Sequence, residues 1–161
     1  MTIKRPNGQY KSQMTEPPKA WPQADEDSHA QRAGELFKLG LQLDNAADSW
    51  CQTQTSIFDG NTWFGKASDV GKDKVNRAHQ GMQSAGELIG SAIGFHRNAY
   101  QSIKNAKDHI IAVCDSAQKT IDDLLSRKLS SDEDQQKRQD AIEAIVKQAF
   151  DANSAVVTAA G

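Results

Sequence analysis

The stretch that decides the fold is GKDKVNRAHQGMQSAGELIGSAIGFHRNAYQSIKNAKDHIIAVCDSA, residues 71–117. Apolar or small residues recur along it at alternating steps of three and four, the period of an α-helix packed along a long partner. They are Gly71, Val75, Ala78, Met82, Ala85, Ile89, Ala92, His96, Ala99, Ile103, Ala106, Ile110, Val113 and Ala117. Because neither a proline nor a polar turn cluster interrupts the pattern before Ser126, the sequence predicts one long helix from a cap at Thr62 to about Arg127.

A glycine repeat formed by Gly86, Gly90 and Gly94 lies inside this helix. Glycine destabilises a helix by about 1 kcal/mol per position, so we interpret the repeat as a place of close helix contact. The alternative is a chain reversal near Gly90–Gly94, which would turn the long helix into two members of a four-helix bundle. The unbroken periodicity favours the straight helix.

Shorter helical patterns flank the long one. A capping box, Ser28-x-x-Gln31, opens a first helix over Ser28–Phe58, with Trp50 on its apolar seam. Ser130-x-x-Glu133 opens a third helix in the same way. No segment alternates with the period of two that strands require. The sequence therefore predicts an all-α fold: an elongated antiparallel helical hairpin with a long second helix and a third, C-terminal helix.

The remaining segments lack such periodicity. All four prolines fall in residues 1–27, which we predict to be an extended or disordered arm, with Trp21 able to pin it onto the helices. Residues 28–152 form the predicted helical domain. Residues 153–161 are small and weakly patterned, so we expect them to fray.

Composition excludes several classes of protein. The chain has 161 residues, 37% of them hydrophobic, and no run of about 20 apolar residues that could span a membrane. Its net charge of -2 disfavours nucleic-acid binding. No apolar segment follows Met1 as a secretory signal peptide would require.

The most informative motif is Trp63-Phe64-Gly65, which lies between the first two predicted helices. A tryptophan and a glycine one residue apart, set between two long amphipathic helices, resemble the WXG superfamily of type VII (ESX) secretion substrates. A large aromatic residue can close the end of a hairpin core, and glycine lets the backbone turn tightly beside the ring. We therefore expect Trp63 to be largely buried and Trp50 to lie in the ordinary core.

A second motif precedes the first helix. Trp21-Pro22-Gln23-Ala24-Asp25-Glu26 resembles the W-P-x-x-D-E lead-in of N-terminal domains in larger actinobacterial effectors and toxins exported by the same route. The sequence departs from that family at the Y-x-x-x-D/E export signal, because Tyr10 and Tyr100 are followed four positions later by Met14 and Lys104. The resemblance then implies that a partner chain or another region supplies the signal.

Catalytic and metal-binding patterns are not found in the sequence. The four histidines include no pair at i and i+4, and no H-E-x-x-H or C-x-x-C motif occurs. His96 lies on the helical seam, where we interpret it as a core residue. We expect no enzymatic activity in these residues and no cofactor.

These observations predict recognition of other proteins as the function. We expect a secreted or surface protein, exported by a signal-peptide-independent route after residence in the cytoplasm, or the export domain of a larger effector. The expected partners are a second copy, a WXG-like chain, secretion machinery or a chaperone, because two apolar seams would otherwise stay exposed. The alternative is a cytosolic helical adaptor or chaperone in which the W-F-G sequence is coincidental. A membrane-inserting protein is a third hypothesis, which the polarity of the helices disfavours.

The two cysteines test the straight helix. In a hairpin that turns near Gly60, Cys51 lies level with about Val70, which puts Cys114 about 66 Å further along at 1.5 Å per residue. A disulfide needs Cα atoms within about 7 Å of each other. We therefore expect two free thiols, whereas a chain reversal would let Cys51 and Cys114 form a bridge.

Overall fold

The computed structural model describes residues 2–58, 63, 65–129 and 131–160. Within these residues the chain forms four α-helices and no strand. The helices are α1 (Gln9–Met14), α2 (Glu26–Phe58), α3 (Lys66–Ser126) and α4 (Asp132–Ala160). The prediction of an all-α protein with a long helix and a C-terminal helix is confirmed.

The predicted long helix corresponds to α3, which has 61 residues. It continues through Gly86, Gly90 and Gly94 without interruption, so the chain does not reverse at the glycine repeat. Both cysteines are free thiols, as the straight helix predicts. The predicted cap at Thr62 lies outside the described residues.

The chain divides into two compact units, which we call the hairpin unit (residues 28–98) and the core unit (residues 1–27 and 99–161). In the hairpin unit, α2 packs antiparallel against the first part of α3. This is shown by the contacting residues, whose numbers increase along α2 while those of their partners on α3 decrease. The contacting pairs are His29 with His96, Gly40 with Ile89, Cys51 with His79, Gln54 with Asn76, and Phe58 with Gly71. Few residues are buried in the described part of this unit: Ala33, Phe58 and Ser68.

The core unit contains the main hydrophobic core. It is built by α1, the last part of α3, and α4, and its largest side chains come from all three helices and the arm. The buried members are Met14, Trp21, Ile110, Cys114, Ile121, Ile142 and Ala149. Of the α3 members, Ile110 lies on the predicted seam, and Cys114 and Ile121 lie beside it. The helical periodicity therefore located this part of the core.

The N-terminal segment differs from the extended or disordered arm that its prolines predict. Residues 9–14 form α1, and Met14, Ala20 and Trp21 are buried. Contacts with α3 and α4 order this segment, and such contacts leave no periodic pattern in the segment's own sequence. The burial of Trp21 agrees with the hypothesis that it pins the arm.

The helix ends also differ from the predicted capping boxes. α2 begins at Glu26 rather than Ser28, and the Asp25 carboxylate accepts a hydrogen bond of 3.1 Å from the Asp27 backbone N–H. At the start of α4, Ser131 Oγ accepts a hydrogen bond of 3.2 Å from the Asp134 N–H, while the predicted cap Ser130 lies outside the described residues. Asp25 and Ser131 are both typical N-cap residue types.

The C-terminal segment is helical to Ala160 rather than frayed from residue 153. Asn153 is fully buried, and its Nδ2 donates to the Met14 carbonyl at 2.9 Å and to Cys114 Sγ at 3.5 Å. This amide therefore joins α4 to the end of α1 and to α3. A buried backbone carbonyl such as that of Met14 needs a donor, and Asn153 supplies it.

We expect Asn153→Ala to lower the free energy of unfolding by about 1–3 kcal/mol, because the Met14 carbonyl would stay buried without its donor. Urea unfolding followed by circular dichroism measures this change. Gln148→Ala, an exposed substitution on the same helix, is the control and should leave stability unchanged. Equal stability of the two variants would contradict a structural role for Asn153.

Candidate interaction surface

The W-F-G motif lies at the end of the hairpin unit, and its tryptophan is only partly buried. The Trp63 side chain stacks on Phe58, with ring centroids 5.4 Å apart and an angle of 22° between the planes. Trp63 nevertheless stays 43% exposed, so the expectation of a largely buried ring is wrong. Phe58, packed under the indole, is the aromatic residue that is buried here, and Phe64 lies outside the described residues.

Two glycines make the position of Trp63 possible. Gly65 has φ of +89°, which strains any residue with a Cβ, and its carbonyl accepts hydrogen bonds from the N–H groups of Ser68 and Asp69 at 2.9 and 3.2 Å. A Cβ at Gly71 would lie 2.9 Å from Trp63 Cζ3 and 3.3 Å from Phe58 Cζ. The backbone of α3 at Gly71 thus forms the floor on which the indole ring lies.

The W-P-x-x-D-E motif lies in the core unit, where two of its residues are anchors. Trp21 is 6% exposed, and the Lys107 Nζ lies 5.7 Å from the centre of its ring. Glu26 and Lys107 form an ion pair of 2.5 Å in which the side chains are only 2% and 4% exposed. The two other motif residues, Pro22 and Asp25, lie nearer the surface.

The Glu26 carboxylate of this ion pair accepts a hydrogen bond from a second donor. The Ile3 backbone N–H donates to Glu26 Oε1 at 2.5 Å, while Lys107 Nζ donates to Glu26 Oε2. Burial by itself would raise the pKa of Glu26, but the hydrogen bonds from Ile3 and Lys107 and the positive charge of Lys107 together hold that pKa below its ordinary value. Glu26 is therefore ionised at neutral pH and ties the first residues of the chain to α3.

The predicted helix-packing residues lie where little packs against them. Trp50 is exposed rather than part of the core. A Cβ at Gly86 would only just reach Leu43, and a Cβ at Gly90 or Gly94 would meet nothing within 4 Å. The expected close contact at the glycine repeat is therefore not made within the hairpin unit, whereas a Cβ at Gly40 of α2 would be in ordinary contact with Ile89 Cγ2 of α3, 3.5 Å away.

Both faces of the hairpin unit expose apolar side chains. A groove of about 580 Å³ runs between α2 and α3 on one face, with Phe37 and Leu41 on one side and Met82, Gly86, Gly90 and Ile93 on the other. A second groove is lined by Leu36, Leu39, Ala92 and His96, together with the charged side chains of Arg32 and Glu35. Leu88 and Phe95 are 72% and 65% exposed. Neighbouring apolar side chains that are exposed in this way are typical of a surface that binds another protein.

The fold also brings together polar residues that the sequence analysis treated separately. Nδ1 of His29 lies 3.0 Å from Nδ1 of His96, and Cys51 Sγ lies 3.5 Å from Nδ1 of His79. The interpretation of His96 as an ordinary core histidine missed its partner. A hairpin turn near Gly60 puts Cys51 level with about Val70, so the predicted register gave no signal for either pair.

The described residues form neither a metal cluster nor a membrane-spanning helix. No group of three or more histidine, cysteine, aspartate or glutamate side chains is arranged there to hold a metal ion. None of the described helices combines the length and the apolar character needed to cross a membrane.

Comparison with known proteins gives one relative of stated role. The chain is 30% identical over 157 residues to the ESX-1 secretion-associated protein EspK of Mycobacterium tuberculosis (strain CDC 1551 / Oshkosh). The chain resembles a secretion-associated protein. The alignment takes in 98% of this chain and 21% of EspK, so the chain spans about a fifth of that relative's length. No family model matches the chain, and no solved structure matches it significantly.

We expect Glu26→Gln to lower the free energy of unfolding by about 3–5 kcal/mol at neutral pH, because Lys107 would stay buried without its counter-charge. A lowered carboxyl pKa stabilises the fold above the unfolded-state pKa of about 4.3, and this stabilisation is lost as the pH falls through the folded-state pKa. The difference between wild type and variant, measured by denaturation from neutral to acid pH, should therefore shrink on acidification.

Two controls accompany the Glu26 variant. Glu133→Gln removes the carboxylate of an exposed pair with Lys137 and should leave stability unchanged. The double variant Glu26→Leu with Lys107→Met should recover much of the loss, because replacing a whole buried pair is far less destabilising than removing one partner. A double variant as unstable as Glu26→Gln would contradict the ion-pair explanation.

The two motif tryptophans should differ in their contribution to stability. Trp21→Ala should lower the free energy of unfolding by about 3–5 kcal/mol, the range for a buried aromatic side chain. Trp63→Ala should lower it by about 1–2 kcal/mol, because the indole is half exposed and less apolar area is lost. Chemical denaturation followed by circular dichroism compares them, and equal losses would show that Trp63 is buried after all.

Proposed function

We propose that this chain is a type VII (ESX) secreted protein or the secretion and interaction domain of a larger effector. The similarity to an ESX-1 secretion-associated protein over 157 residues carries this proposal. Because that alignment takes in nearly the whole chain but only a fifth of the relative, it supports a module that can be joined to further sequence.

Membership of the WXG superfamily is the finer part of the proposal. The W-x-G sequence follows α2 and precedes α3, and its glycine adopts the positive φ that the motif requires of a turn residue. The tryptophan stacks across the end of the hairpin unit on Phe58 and Gly71. A half-exposed indole there can contact a partner as well as close the hairpin.

The mode of action that we propose is protein–protein recognition by helix faces. Two helices alone leave both faces of the hairpin unit open, and both carry apolar grooves. A second copy, a WXG-like chain, secretion machinery or a chaperone could cover them with further helices packed ridge into groove. The exposed Leu88 and Phe95 support such a partner more strongly than a nucleic acid.

Export by a route without a signal peptide, after residence in the cytoplasm, follows from the same proposal. The chain would act there without catalysis or a cofactor, as a surface that the secretion system reads. A cytosolic helical adaptor or chaperone is the second candidate, because exposed apolar helix faces suit that function too.

Secretion of an epitope-tagged chain in an ESX-competent strain and an ESX-deficient strain separates these two functions. We expect the chain in the culture medium of the competent strain and its retention in the cells of the deficient strain. Retention in both strains, with the chain folded and abundant, would favour the adaptor. Release from both strains, with a cytosolic marker as the lysis control, would contradict ESX dependence.

Association in solution tests the proposed surface. Light scattering of wild type should give a mass above the 17.6 kDa of one chain, or the chain should co-purify with a helical partner. Leu88→Ser with Phe95→Ser should abolish association without unfolding, because both side chains are exposed. Leu125→Ser, an exposed leucine of the core unit, is the matched control and should leave association intact. A monomeric wild type with no partner would contradict the proposal.

A further inference from the structure

The two cysteines of the chain lie in opposite chemical surroundings. Cys114 is fully buried in the core unit, where burial raises the pKa of its thiol and keeps it in the unreactive protonated form. Cys51 is only half-buried, on α2 in the hairpin unit, and has a histidine beside it on α3. A thiol with both access and a neighbouring base is the kind that reacts.

The contact between Cys51 and His79 has the geometry of a nucleophile and its base. The sulfur lies 3.5 Å from Nδ1, within the distance for a hydrogen bond to sulfur. In the tautomer with an unprotonated Nδ1, the thiol donates to the ring and the imidazole can take its proton.

The surroundings keep the pair together. One turn further along, Gln54 Nε2 donates to Asn76 Oδ1 at 2.9 Å, which links the same two helices beside the pair. On the other side, Ala47 precedes Cys51 by about one turn of α2, and Met82 follows His79 by about one turn of α3. Both Ala47 and Met82 line the larger groove. Cys51 and His79 do not line that groove themselves, so a small molecule reaches the thiol through the exposed part of the half-buried Cys51 side chain.

We propose that Cys51 and His79 form a thiol-reactive site that takes small disulfides of low-molecular-weight thiols. The Cys51 proton passes to His79 Nδ1, and the thiolate attacks one sulfur of the disulfide. The S–S bond of the small molecule breaks, a new bond forms between Cys51 Sγ and the attacked sulfur, and the other sulfur leaves as a thiolate. His79 returns the proton to that leaving group, so the products are a mixed disulfide on Cys51 and one small thiol.

This modification would add a group between α2 and α3, about one helical turn from the groove-lining residues Ala47 and Met82. A mixed disulfide at Cys51 increases the bulk beside Ala47 and Met82 and is reversed by any reducing thiol. The proposal stands without the assignment to type VII secretion, because it rests on the thiol, the imidazole and their access alone.

The test measures the rate at which thiols of the full chain react with 5,5′-dithiobis(2-nitrobenzoic acid) at neutral pH. One thiol should react in the folded protein, and the second should react only in denaturant. Peptide mapping should locate the first on Cys51. Cys51→Ser should remove the fast phase, and Cys114→Ser should keep it. Rapid reaction of Cys114 in the folded chain would overturn the proposal.

The contribution of His79 is tested by His79→Gln, which should slow the fast phase at least about tenfold, as loss of a proton-accepting base does. His109→Gln, an exposed histidine also on α3, is the control and should leave the rate unchanged. A folded His79→Gln variant that reacts at the wild-type rate would overturn the role of the imidazole.

A second measurement needs no variant at position 79. In the Cys114→Ser protein, the folded chain should react faster than the same chain in denaturant, because only the folded chain holds His79 beside the sulfur. A free thiol in an unfolded chain has full access but no base. Faster reaction of the unfolded chain would overturn the proposal.

Discussion

A buried carboxylate and a buried ammonium group must each have an opposite charge and hydrogen-bond partners nearby, since an unpaired buried charge is destabilising by several kcal/mol. Glu26 meets this requirement with one oxygen on Lys107 and the other on the Ile3 backbone, and Trp21 covers the lysine. Together with the hydrogen bond from Asn153 to the Met14 carbonyl, this contact explains why a proline-rich segment is ordered. The first residues of the chain, the arm and α3 meet at a single carboxylate.

The same contact explains which parts of the fold the sequence could predict. Helical periodicity is a local signal repeated many times, so it located α2, α3 and α4 and most of the α3 core residues. The arm has no repeated signal, because its order depends on contacts with residues far away in the sequence, among them that of Glu26 with Lys107, 81 positions later. A W-P-x-x-D-E sequence marked the anchors Trp21 and Glu26, but only the packing shows that Asp25 serves as a helix cap and Glu26 as half of an ion pair.

Helical periodicity also did not determine the register of the hairpin, that is, which residues of α2 lie opposite which residues of α3. A turn centred near Gly60 would put Cys51 level with Val70, whereas the structure places Cys51 against His79 and Phe58 against Gly71. Both pairs are centred near Gly65 rather than Gly60, which shifts the partner of Cys51 from about Val70 to His79. Seam residues are alike along a helix, so a shift of this size preserves the apolar pattern while it changes every polar pair across the interface.

The glycines of α3 show how one residue type serves two purposes on the same helix. At Gly71, the Trp63 ring occupies the space that a side chain would need, and a Cβ there would collide with the ring. At Gly90 and Gly94 the missing side chains face open space, although glycine weakens a helix by about 1 kcal/mol at each position. Within the hairpin unit, no neighbouring group packs against these two glycines to offset the lost helix stability. A helix from a partner could pack closely against the α3 backbone there, because no side chains stand in the way. The unfilled glycines and the exposed Phe95 next to them therefore support a protein partner at this part of α3 by two separate physical arguments.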